Sequence, residues 1–144
     1  MACKTEQREF EDSQGTVSTF FVRQLPAAQA LDLQVELLNT MGANVFPFIE
    51  GNYDYTNIVS LMGATEHKKF TDIVKRIVCM ATKDGQEVTQ PLFNHAYNGE
   101  LMLICKVFAF VCEVNFKDFF IQGLAMSVSP PLAVANPLGQ DEQK

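Results

Sequence analysis

Between Leu101 and Phe116 only Lys106, Glu113 and Asn115 interrupt an otherwise apolar run, within the stretch FNHAYNGELMLICKVFAFVCEVNFKDFF from Phe93 to Phe120. On a helix of 3.6 residues per turn Lys106 and Glu113 lie about 20° apart, and apolar side chains cover almost every other direction. Such a helix must be wrapped by other elements or by another chain. The run is also too short to span a bilayer, at roughly 14 residues against about 20. The pattern predicts a central core helix capped by Asn94 and ending near Asn115, with Phe116, Phe119 and Phe120 folding back onto the same core as a short helical turn.

With 144 residues the chain is one domain by length. Twelve phenylalanines and no tryptophan make Phe its main core-filling side chain. The net charge of −6 argues against a nucleic-acid binder, which needs a basic stripe to displace counterions; the densest basic cluster is only Lys68, Lys69, Lys75 and Arg76. Cys3, Cys79, Cys105 and Cys112 show no CxxC spacing, and three of them sit in apolar helical patterns where a thiol acts as a small hydrophobe. With no signal peptide at the N-terminus, a reducing cytoplasm is the expected setting.

Residues 1–8 read as a flexible N-terminus, 9–122 as one globular domain, and 123–144, rich in proline and without periodicity, as a disordered tail. Arg8–Phe10 and Thr16–Arg23 flank a turn ending in Gly15 and predict a β-hairpin, which must pack on helices or pair with a neighbouring subunit because two strands alone are marginal in water. Leu25-Pro26 ends the second strand and opens a helix from Ala27 to Met41, closed by Gly42. Ala43–Asp54, with Pro47, Gly51 and Asn52, reads as a loop anchored by Phe46 and Phe48. A short helix from Tyr55 to Met62 follows, closed by Gly63, and then one capped by Thr65 and carried to Ala81 by the i, i+3, i+4 rhythm of Phe70, Ile73, Val74 and Ile77. Asp84-Gly85 marks a turn, and Gln86–Gln90 a short extended piece. The fold class is mainly α (α+β): an N-terminal β-hairpin on a small bundle of about four helices, with the apolar central helix near the C-terminus.

Chemistry-bearing clusters are sparse. His67 stands beside Glu66 in a first helical turn, a solvated position without the partners a metal needs. His95 and Cys105 on one helix would be about 15 Å apart, beyond hydrogen-bond reach. The glycines are scattered singly, with no phosphate loop. Glu113 with Lys106 reads as a narrow wet edge, or as a contact stripe for a partner. No enzyme signature, cofactor motif or metal site emerges.

Two stretches carry a resemblance: FFVRQLPAAQALDLQVELLNTMG, Phe20 to Gly42, and Phe93 to Phe120. A strand turning through Gln24-Leu25-Pro26-Ala27 into a Leu-rich helix, followed at matching separation by a start containing Phe93, Asn94 and Gly99 and a close through Asn115, Phe116, Phe119 and Phe120, resembles the tail assembly chaperone family of long-tailed bacteriophages. Asn94 departs from the expected aspartate, and neither residues 1–8 nor the chain beyond Gln122 has a counterpart. The resemblance implies a non-enzymatic assembly factor in the host bacterial cytoplasm, absent from the mature virion. It would bind the phage tape measure protein and keep it soluble until the tail tube polymerises; a second copy, or a longer form made by frameshifting, is a further implied partner. Phe46, Phe48, Tyr53 and Tyr55 are the expected partner-binding residues. The competing reading is a small structural tail or baseplate subunit that extends a sheet with its neighbours; an enzyme or regulator unconnected with phage ranks last.

Overall fold

The computed structural model describes residues 3–128. Two strands, β1 (Thr5–Glu11) and β2 (Val17–Arg23), pair antiparallel from Thr5 opposite Arg23 to Glu11 opposite Val17. Their turn is organised by the Asp12 carboxylate, which accepts from the Gln14 and Thr16 amides at 2.9 Å each, and by Gly15 at φ +83°. Alternation decides the faces: Ser18, Phe20 and Val22 are buried, whereas Val17 and Phe21 are exposed. The pairing begins within residues 1–8, read from sequence as flexible. The polar residues Thr5–Arg8 are ordered by the ladder itself, which continues into a hydrogen bond from the Gln24 amide to the Lys4 carbonyl.

A third strand, β3 (Ala81–Lys83), pairs with the other side of β2, giving the order β1-β2-β3. The preceding helix therefore stops short of Ala81. The turn at Asp84 (φ +52°) and Gly85 (φ +82°) holds β3 in place, because the Thr19 amide donates to the Asp84 carboxylate at 2.9 Å and the Asp84 amide returns a bond to the Thr19 carbonyl at 2.7 Å.

Among the described residues six α-helices follow or intervene. Helix α1 (Ala27–Met41) begins after Pro26 and ends at Gly42, whose amide donates to the Leu38 carbonyl and whose φ of +61° then turns the chain out of the helix. Its buried stripe is narrower than the apolar pattern, since Leu31 and Val35 are exposed. A 3-10 turn leads into α2 (Phe46–Glu50), where a loop was expected. Pro47 lies in the first turn, where no amide is needed, and Gly51 closes the helix at φ +82°. Helix α3 (Tyr55–Ala64) starts with a capping box between Asp54 and Asn57. Helix α4 (His67–Val78) is capped by Glu66, not Thr65; the Glu66 carboxylate accepts from the Lys68 and Lys69 amides, which holds its pKa below the usual value, and Thr65 is buried with its hydroxyl donating to the Leu61 carbonyl.

The expected single helix from Phe93 is two: α5 (Phe93–Tyr97) and α6 (Leu101–Val128). Gly99, at φ +76°, turns the chain between them. Glu100 then accepts from the Ser13 amide and hydroxyl, tying the hairpin turn to the start of α6. Asn115 does not end α6. Its amide donates to the Val111 carbonyl at 3.0 Å and its oxygen accepts from the Leu25 amide at 2.8 Å, so both polar ends are satisfied inside the helix. The helix runs on through 123–128, where a disordered tail was expected; 129–144 lie outside the described residues. Phe116 is buried in line with α6, whereas Phe119 stays on the outside at 63% exposure.

Residues Val107 to Cys112 are buried all round. The sheet covers one side through Phe10, whose ring lies 5.8 Å from Phe110 and 5.7 Å from Phe20. Helix α2 covers another through Phe48, 5.9 Å from Phe108. Each such Phe contributes about 1.5–3 kcal/mol by leaving water. Polar ties cross the same boundary: Arg8 of β1 donates to both Glu113 oxygens at 3.2 Å and lies 4.6 Å over the Phe110 ring, while Gln24 donates to the Val114 carbonyl. No helix among the described residues is long and apolar enough to cross a membrane.

Candidate functional site

The four aromatics expected to bind a partner do not form one surface. Phe48 is 1% exposed, turned by α2 onto α6, and stacks on the half-buried Tyr53 of the following segment with ring centroids 4.8 Å apart. Phe46 leans on Phe120 at 5.2 Å. Tyr55 alone projects freely, at 70% exposure, from the first turn of α3. Phe48 is thus a core residue that meets open space only through the groove it lines, and the quartet is split between core, edge and surface.

Open apolar space lies nearby instead. Helices α3, α4 and α6 diverge around a groove of about 540 Å³. Its floor is the buried Phe48 and Phe108, and Phe93 lines it as well. Ile58, Leu61 and Met62 form the α3 wall; Leu101, Ile104 and Cys105 form the α6 wall. Leu101 is 75% exposed and Met62 is half-exposed, so apolar surface continues from the interior over both rims. The groove is a direct outcome of α6 being apolar all round: the sheet, α2 and part of α4 cover its middle, and among the described residues the side carrying residues 101, 104, 105 and 108 is left without a complete cover.

Among the described residues its polar lining is His67, Thr71 and Lys75, all from α4. They recur at i, i+4 and i+8 on one edge of that helix, while Ile73 and Ile77 point into the core. Seven residues before Lys75, and therefore within about 20° of it around the helix, stands the exposed Lys68. Helix α3 carries no charged residue.

The chemistry available is that of an apolar receptor. Burial pushes the Cys105 thiol above its usual value with no cation opposing the shift, so the thiol stays protonated and weakly nucleophilic. Cys79 and Cys112 are raised by the same cause, with Lys75 only partly offsetting it at Cys79. No group of three or more His, Cys, Asp or Glu residues among the described residues converges as a metal site.

The motif residues serve the fold. Leu25 and Pro26 hand β2 to α1, Gly99 breaks the helix, Asn115 binds the Leu25 amide, Phe116 fills the core, and only Phe93 reaches the groove. Sequence reasoning missed the groove because its walls come from three helices that no single periodicity connects. The one local signal was the apolar start of α6, Leu101 to Cys105, which has nothing to bury against in its own segment.

A family model described as "Phage tail assembly chaperone protein, TAC" matches residues 15–127, well over half of the chain. No curated protein and no solved structure matches.

Proposed function

The chain belongs to the phage tail assembly chaperone family, and we propose that it is a non-enzymatic assembly factor that binds the tape measure protein and keeps it soluble until the tail tube polymerises. The observation that carries this reading is the groove between α3, α4 and α6: an open, ready-made apolar surface with neither an activated nucleophile nor a convergent set of metal ligands. A partner that must be held in many places and later released needs a receptor for apolar helical faces that does no chemistry on them. On this reading the protein acts in the host cytoplasm and leaves before the particle is finished.

The test is co-expression with the tape measure protein of the same phage, followed by affinity purification and a solubility measurement. A soluble, co-purifying tape measure protein supports the assignment. An insoluble and unbound one, beside a folded chaperone, refutes it. Mass spectrometry of purified particles then separates an assembly factor, absent from the virion, from a structural subunit present in fixed copy number.

A further inference from the structure

We propose that the groove receives an amphipathic helix with apolar side chains on its buried face and carboxylates along one edge, the acidic edge lying against Lys68 and Lys75. This deepens the chaperone reading and rests on it.

The apolar half of the match follows from shape. A groove of about 540 Å³ falls in the range of pockets that enclose several side chains, and one helix face offers anchors at i, i+3 or i+4, and i+7. The acidic half follows from charge. In a chain of net charge −6, the one charged side chain that lines the groove among the described residues is the cationic Lys75, with Lys68 two turns away on the same side of α4. The nearby carboxylates are already engaged: Glu66 by the amides of its own helix, Asp72 by Arg76, and Glu100 by Ser13. Among the described residues neither Lys68 nor Lys75 takes part in an ion pair. The groove-facing positions of α3 and α6 contribute no charge. Lys68 and Lys75 are spaced i, i+7, about 10.5 Å along the axis, which matches two carboxylates two turns apart on an incoming helix. Burying unpaired lysines under an apolar or basic helix carries a desolvation cost that an acidic edge removes. The lip therefore selects among apolar helices and sets which way round each one lies.

The test uses the full chain and two fluorescein-labelled synthetic amphipathic peptides of one design. Leucines occupy the buried-face positions in both, and the edge positions carry Glu in one and Lys in the other. Fluorescence anisotropy at low salt should give about tenfold tighter binding for the Glu-edged peptide, shrinking as ionic strength rises. The variant Lys68→Glu/Lys75→Glu, altered at two exposed side chains and checked for an unchanged melting temperature, should reverse the preference. Leu101→Asp should weaken both peptides. Equal affinities, or a preference untouched by the charge reversal, would overturn the proposal. So would displacement of the Glu-edged probe by a peptide of residues 129–144 at comparable concentration, which would make the groove a receptor for the chain's own terminal segment. Failure here is separable from failure of the functional reading. A co-purifying tape measure protein without peptide discrimination removes the acidic edge alone, whereas discrimination without co-purification removes the tape measure assignment alone.

Discussion

Replacing Glu113 with Gln should destabilise the fold by about 2 kcal/mol, through the contact that fastens the N-terminal strand to α6. Arg8 donates to both carboxylate oxygens at 3.2 Å, and its guanidinium lies 4.6 Å from the Phe110 ring centre. The side chains of Arg8 and Glu113 are 38% and 18% exposed, between the surface and buried regimes. Surface pairs are worth about 0.2–1 kcal/mol, while breaking a buried pair costs about 3–5 kcal/mol. A bidentate, half-shielded pair falls between, and Glu6, at 3.9 Å from Arg8, is too distant to replace the lost bonds. For a domain of this size a loss of about 2 kcal/mol lowers the melting temperature by about 6 °C or more. The assay is a double-variant cycle of Arg8→Met and Glu113→Gln by urea denaturation, Met keeping an apolar stem over Phe110. A coupling energy of about 1 kcal/mol or more is expected. Additive single-variant losses, with coupling below about 0.5 kcal/mol, would refute the view that this pair joins sheet to helix.

Other outcomes follow from the same geometry. Gly51→Ala should cost about 1–3 kcal/mol by urea denaturation, because φ is +82° and a Cβ there would stand 2.7 Å from a Glu113 oxygen. Phe48→Ala should cost about 3–5 kcal/mol and Tyr55→Ala well under about 1 kcal/mol, the first being core and the second surface; equal losses would contradict the placement. The buried Cys112 thiol and the half-buried Cys79 and Cys105 thiols keep their protons in the fold above the usual value of 9.0, while the unfolded chain ionises there, so stability is full below that pH and falls as pH rises through it. Melts across alkaline pH check this, and a thiol reagent at neutral pH should leave Cys112 unmodified until the chain unfolds.

Where one segment contained both its signal and its partner, the sequence was readable. Pro26, the spaced leucines and Gly42 delimit α1 without outside help, and the hairpin follows from alternation around Asp12 to Gly15. Misreadings arose where tertiary contact overrode local signals. Pro47 and Gly51 read as loop residues, yet one sits where a helix tolerates proline and the other just past a helix end, and packing of Phe48 and Ile49 against α6 makes so short a helix worthwhile. Asn115 read as a terminator because its acceptor role toward Leu25, ninety residues away, is invisible locally. The expected binding aromatics are dispersed for a related reason: aromatic content marks apolar area and does not say which ring faces inward, so of the four only Phe48 lines the groove. The lysine lip lay in plain view as the densest basic cluster, but its meaning depended on the groove beside it.

The near-uniform apolar girth of α6 has a consequence for how the chain avoids misassembly. A rod greasy on every side can spin about its axis and bury almost the same area at each setting, so hydrophobicity fixes its location but not its angular phase. Three adjacent residues of α6 do most to break that degeneracy: Glu113 with Arg8, Asn115 with the Leu25 amide, and the Val114 carbonyl with Gln24. All three reach into the N-terminal sheet or the segment leaving it, and a turn of the rod by one residue, about 100°, would strand all of them at once. They act as the key in a keyway: once the first strands have formed, only one clocking of α6 is left, and that clocking leaves Leu101 and Cys105 facing the groove.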